Sequence, residues 1–181
     1  PLSETWRGME SILESKLARH IGVCNYSTGL LHDLMSYAKH KPEVLQIESH
    51  PFLTQERLIK LAKQLGMAVT AFSPLGASSY LEMDMAEKSE TVISNEVVKS
   101  IATRLGRSPA QVVLRWGIQR GTSILPKSTS LAHMQENLDV LDFELNDGDM
   151  NALSALNCER RFNDPGDFCE AAFNTFYPIY D

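Results

Sequence analysis

Short apolar runs along the chain alternate with stretches in which apolar residues recur every three or four positions. Four runs read as strands: residues 21–25 (IGVCN), 44–50 (VLQIESH), 68–73 (AVTAFS) and Ser123–Leu125 (SIL). Each is apolar, bounded by Gly, Pro or Asn, and preceded by helical periodicity. Ser3 is placed to cap a helix over 4–19, with Trp6, Met9, Ile12, Leu13 and Leu17 on one face. Further helices are predicted over 30–38, over 55–65 between a Thr54 cap and a Gly66 stop, and over 95–105. Pro109–Gln119 follows behind a Ser108 cap, with Leu131–Leu138 and 147–156 completing the set. From residue 157 the periodicity dissolves into a tail rich in aromatics, with a turn expected at 163–166.

Strand starts at 21, 44 and 68 with helices between them predict repeated βαβ units and a parallel sheet. A loop over 76–91 and an extra helix delay the fourth strand. No boundary between domains is visible within 1–156, and 157–181 reads as a tail. Both an open doubly wound sheet and a (β/α)8 barrel use this pattern. Alternation puts Gln46, Glu48 and His50 on one face of their strand, and Leu45 and Ile47 on the other. A strand buried on both faces of an open sheet would be nearly continuously apolar. A face that turns polar toward its C-terminal end fits the mouth of a barrel. With four strands visible, the expectation is half a barrel, whose two open edges invite association with other chains.

Composition narrows the function. The chain has 181 residues, 43% of them hydrophobic and 22% charged, which suits a folded domain. A net charge of −6 argues against a general nucleic-acid binder. No apolar run approaches the roughly 20 residues that cross a bilayer. Three cysteines (Cys24, Cys158, Cys169) without metal-type spacing fit a reduced, cytoplasmic setting, and no metal site is expected. The chain opens on Pro1 directly into a helix, so it reads as processed or as a piece of something longer.

The stretch SILPKSTSLAHMQEN, from residue 123, places a cation and small hydroxyl residues between a strand and a helix. Free N–H groups at a helix start attract anions, and Lys127, Ser128 and Thr129 add a charge and donors. The alternative is an exposed lysine and an ordinary cap.

Taken together, PLSETWRGMESIL, IGVCNYS, LQIESHPFLTQ, VTAFSPLG, LPKSTSLAHMQENLDVLDFEL and RFNDPGDFCEAAFNTFYPIYD resemble the aldo-keto reductases, in the family's order. The nearest resemblance is to xylose, aldose and aldehyde reductases. It implies a (β/α)8 TIM barrel of which this chain holds the C-terminal half, and NADPH-dependent reduction of a small carbonyl substrate, an aldehyde or ketone. The missing N-terminal half or a second copy is the implied partner. The family's Asp, Tyr, Lys and His tetrad would lie in the other half, so no catalytic residue is named here. Tyr26, Tyr37, Tyr80, Tyr177 and Tyr180 match no catalytic motif. A non-catalytic NADP(H)-binding partner or redox-sensing module would use the same residues.

By resemblance, Lys127, Ser128 and Thr129 grip the 2′-phosphate of NADP. His133 stands where many relatives carry an arginine on the adenine and phosphate, which makes NADH possible as well. Glu136 and Asn137 match an adenine-contacting pair. Phe72 matches an aromatic stacked on nicotinamide, and Ser73 and Leu75 run along the pyrophosphate. Cys24 and Asn25 match a Ser-Asn pair that holds the carboxamide, joined by Gln46. Cys24 could instead be a small buried hydrophobe, and Phe72 a core aromatic. Glu48 and His50 are expected to form a structural hydrogen-bonded pair. The tail from residue 161 resembles the loop that closes the substrate pocket, with Phe162, Phe168, Phe173, Phe176 and Tyr177 as its wall, unless it packs outside.

Overall fold

In the computed structural model, residues 1–76, 80–81, 86–87, 91–176 and 178–180 are described. Four parallel strands, β1 (Gly22–Cys24), β2 (Val44–Glu48), β3 (Ala68–Phe72) and β4 (Ser123–Leu125), form one sheet in chain order. Helices α1 (Leu2–Glu14), α2 (Thr28–Tyr37) and α3 (Glu56–Gln64) precede the first three strands. A 3-10 turn at Val92–Ser94, α4 (Glu96–Leu105) and α5 (Pro109–Gln119) lead into β4. After it come α6 (Leu131–Leu138), α7 (Asp147–Ser154) and α8 (Pro165–Phe173).

All four predicted strands are present, and the first three end sooner than expected. Asn25 (φ 59°) and Ser73 (φ 46°) are left-handed, a conformation no strand accommodates, so β1 and β3 stop just before them. The register places Cys24, Gln46, Thr70 and Ser123 in one row across the sheet, with Glu48, Phe72 and Leu125 in the next row on the same face. Thr70 Oγ1 and Ser123 Oγ share a hydrogen bond of 2.8 Å within the first row.

The apolar mass lies on the other face. Leu45, Ile47 and Val69 are buried there with Leu31, Leu58, Ile59 and Ala62 of the flanking helices and Met67 just before β3. Trp6, Ile21, Leu34 and Ala38 form a second cluster between α1, α2 and the start of β1. The largest cluster gathers Val92, Val98, Ile101, Val112, Val113, Trp116 and Leu153 from the 3-10 turn, α4, α5 and α7, with Leu145 from the loop before α7. Trp116 is 2% exposed, and its indole N–H donates to Ser154 Oγ at 3.0 Å. Fully burying each Leu or Ile here stabilises the fold by about 1.5–3 kcal/mol.

Local expectations fail where tertiary contacts intervene. The first helix begins at Leu2 with no side-chain cap from Ser3, and it ends at Glu14 because Lys16 turns left-handed (φ 61°). Ile12 and Leu17 therefore leave the predicted core face and stand exposed, while Trp6 and Glu10 are buried. Thr54 does not cap α3. Its N–H donates to Asn157 Oδ1 and its carbonyl accepts from Arg120 Nη2, and the N-cap passes to a left-handed Gln55. The tail also contains an unexpected helix, α8, capped by Asp164 and started by Pro165 where only a turn was predicted.

Candidate functional site

The C-terminal ends of the strands carry most of the residues singled out by sequence. Across three inter-strand steps of about 4.8 Å, or about 14 Å, the rim runs from Cys24 and Asn25 through Gln46 and Phe72 to Leu125, just before Lys127. Such a track suits an elongated ligand.

At one end is a cavity of about 360 Å³ lined by Leu75, Ile93, Ser108, Pro109, Ala110, Lys127, Ser128, His133, Glu136 and Asn137. Six of the twelve predicted residues meet here. Lys127 and His133 are exposed, whereas Ser128, Glu136 and Asn137 are half-buried. The N-terminus of α5, with a full capping box between Ser108 and Gln111, lines the cavity, and α6, capped by Ser130, contributes His133, Glu136 and Asn137. Thr129 stands outside the lining. The Ser128 hydroxyl donates to the Ser130 carbonyl and accepts from the Ser130 N–H, so it shapes the turn before α6. Lys127 is thus the permanent cation on the lining and Glu136 its carboxylate. Sequence reasoning missed Ile93 and Ser108–Ala110. The Ser-Pro start of α5 was legible as a helix entry, but not as a wall of this cavity.

At the other end, Asn25 is held by its own N–H, which donates to the Gln46 carbonyl at 2.9 Å. Its side-chain Oδ1 is buried without a hydrogen-bond partner among the described residues, beside a cavity of about 80 Å³ that Tyr26, Gln55, Arg161 and Tyr180 also line. A buried acceptor left unmatched costs free energy until a donor arrives, so this oxygen fits an amide N–H of a ligand. Cys24 is exposed on the polar row, which overturns its reading as a buried hydrophobe. Partial desolvation raises its thiol above the ordinary value, so it is no thiolate nucleophile at neutral pH. Phe72 is half-buried on the same face, outside the buried clusters.

Between these ends, Glu48 and His50 form the expected pair. Both are fully buried, with His50 Nε2 3.0 Å from Glu48 Oε1. The backbone N–H groups of Phe162 and Asn163 also donate to the two Glu48 oxygens, at 2.9 and 3.0 Å. Burial pushes the Glu48 carboxyl up, but the His50 bond and these two amides outweigh it, and the group is held below its ordinary value. Further anchors come from Cys158 and Arg160, whose N–H groups both reach the Phe52 carbonyl, and from Asn157 on Thr54. Residues 157–163 are therefore tied over the end of β2, and Phe162 is buried against His50 and Tyr80. Of the proposed aromatic wall, Phe162 is at the mouth, whereas Phe173 and Phe176 are exposed. Tyr177 and the Phe168 side chain lie outside the described residues, as does most of the acidic loop over 76–91.

A parallel βα sheet with its candidate chemistry gathered at the strands' C-terminal ends is the arrangement of α/β enzymes, (β/α) barrels among them. The aldo/keto reductase family profile matches residues 1–157, and the chain belongs to that family. A probable NAD(P)H-dependent D-xylose reductase of Aspergillus fumigatus is 48% identical over 166 residues, covering 91% of this chain and 53% of that protein. An NAD(P)H-dependent D-xylose reductase of Aspergillus niger is 46% identical over 181 residues, covering 99% of this chain and 55% of that protein. Among solved structures, the aldose reductase of Schistosoma japonicum superposes with a TM-score of 0.83 at 28% identity, over 100% of this chain and 55% of that one. The chain spans about half the length of the curated relatives it matches, and its four-stranded sheet is a partial TIM barrel. Among the described residues, no helix is long and apolar enough to cross a membrane, and no cluster of three metal-ligating side chains occurs.

Proposed function

We propose that this chain supplies the coenzyme-binding half of an NADP(H)-dependent carbonyl reductase that acts on a small aldose or aldehyde. The observation that carries the reading is the cavity at the β4 end, which Lys127 lines together with the start of α5, Ser128, His133, Glu136 and Asn137. A cation together with helix N-termini holds a phosphate. Lys127 would take the 2′-phosphate, and Glu136 and Asn137 the adenine. Ser73 and Leu75 would lie along the pyrophosphate, and Phe72 would offer a flat face to the nicotinamide. Asn25 and Gln46 would orient the carboxamide, giving the unmatched Asn25 oxygen its donor.

When bound, the coenzyme supplies a hydride for the carbonyl carbon. The family's proton-donating tetrad belongs in this reading to a segment outside the 181 residues. Among the described residues, β1 and β4 have no strand on their far sides, which favours pairing with the remainder of a barrel or with a second copy. Three unpaired cysteines favour a cytoplasmic setting.

The deciding test is fluorescence titration of NADPH against the wild type and Lys127→Ala. Losing one charged contact to phosphate predicts about 10- to 100-fold weaker NADPH binding, with NADH affinity nearly unchanged. Equal NADPH affinity in both proteins would overturn the reading. Steady NADPH oxidation with xylose by the 181-residue chain alone would overturn the placement of the tetrad.

A further inference from the structure

We infer that Tyr80 is a positioning residue that couples coenzyme engagement at Ser73 to the seating of the C-terminal segment; the inference rests on the coenzyme reading above. Its side chain, which is 6% exposed, joins the end of β3, seven residues earlier, to the tail, 83 residues away at Asn163. The Tyr80 hydroxyl lies 3.2 Å from Ser73 Oγ and accepts from Asn163 Nδ2 at 3.0 Å. The Tyr80 ring stacks on Phe162, with centroids 5.9 Å apart and planes inclined by 19°. Phe162 and Asn163 are the two residues whose amides Glu48 holds. Gly76, at φ +70°, completes the junction: a Cβ there would sit 2.7 Å from Val92 Cγ2 and 3.3 Å from Phe162. Only a glycine lets the chain after β3 approach Phe162 so closely.

The donor inventory gives the cluster a direction. A phenol has one proton. Tyr80 accepts from Asn163, and in the arrangement the coupling requires its proton goes to Ser73 Oγ. Ser73 then accepts from Tyr80, and its own proton is left for an outside acceptor. The sequence Asn163 N–H to Tyr80 O–H to Ser73 O–H ends on a polarised donor, and each bond in such a chain strengthens its neighbours. An anionic oxygen is the acceptor that gains most from it, which is what a pyrophosphate offers. By linkage, a ligand that tightens on Ser73 tightens the tail, and a seated tail raises ligand affinity by the same factor.

Amide hydrogen exchange at Phe162 and Asn163, with and without saturating NADPH, tests the coupling, alongside a fluorescence titration showing that NADPH is bound. In the wild type, NADPH is expected to slow exchange at both amides by about fivefold or more. Tyr80→Phe keeps the stack on Phe162 and cuts the relay, so the NADPH effect disappears and NADPH affinity drops by the same factor. Ser73→Ala provides a second reading: the NADPH effect on tail exchange is lost. NADPH bound with no slowing in the wild type, or equal slowing in both variants, overturns the coupling and leaves the coenzyme reading intact. No NADPH binding to the wild type overturns the coenzyme reading and the coupling with it.

Discussion

Replacing Glu48 with glutamine isolates what the buried carboxylate does for the tail. The carboxylate is 0% exposed and accepts three donors: His50 Nε2, Phe162 N–H and Asn163 N–H. Glutamine has almost the same shape but only one accepting oxygen. Its NH2 group must face one of the two tail amides, donor against donor. One charge-assisted bond worth about 1.5–3 kcal/mol is lost, and a buried N–H is left unmatched. Glu48 holds the Phe162 and Asn163 amides directly, so the loss shows in the opening of this segment. The opening free energy should drop by about 2–4 kcal/mol, which raises exchange at the Phe162 and Asn163 amides about 30- to 1,000-fold. Amides of α5 in the largest core, such as Val113 and Trp116, exchange through global unfolding and should rise by no more than the same factor. Unchanged exchange at Phe162 and Asn163 would refute the argument, as would a larger rise at α5, which would place the damage in the core rather than at the tail.

Further expectations follow from the same geometry. Because the folded Glu48 carboxyl titrates below its ordinary value of 4.5, its stabilisation is complete above that pH and is lost as pH falls through the lower folded value. Urea midpoints should therefore decline below about pH 4.5, and Glu48→Gln should flatten that decline; parallel declines in both proteins would count against it. Gly22→Ala should destabilise by about 1–3 kcal/mol or more in urea unfolding, since its Cβ would lie 2.4 Å from the Val44 carbonyl oxygen. His133→Arg adds a permanent charge to the cavity around Lys127. It should raise the ratio of NADPH to NADH affinity by about tenfold or more in paired titrations.

The sheet was legible because its signal is local. Alternation in VLQIE sets one face of β2 against the other, and the structure buries Leu45 and Ile47 on the predicted side. Helix starts at Ser108 and Ser130 were legible for the same reason, since cap and first turn are sequence neighbours. What escaped was decided at a distance. Thr54 has the chemistry of a cap, but Asn157 and Arg120 claim its backbone from the tail and from the end of α5. Nothing near Lys16 announces a left-handed residue, so α1 was drawn too long. The α8 helix is a different kind of miss, because Asp164 followed by Pro165 is a readable start that the surrounding aromatics obscured. In the candidate site, Lys127, His133, Glu136 and Asn137 came from one short stretch, whereas Ile93 and Ala110 join them only through folding. The Glu48–His50 pair was visible at a spacing of two, but the tail amides it holds lie more than a hundred residues away.

The polar row of Cys24, Gln46, Thr70 and Ser123 lies on the opposite side of the sheet from the packed clusters. Exchanging one of these side chains alters what a ligand meets without opening a void among the leucines and isoleucines behind it. Such a scaffold can explore new ligand preferences while its thermodynamic resilience stays nearly constant, because the positions open to selection for chemistry and those under selection for folding are different atoms on different sides of the same strands.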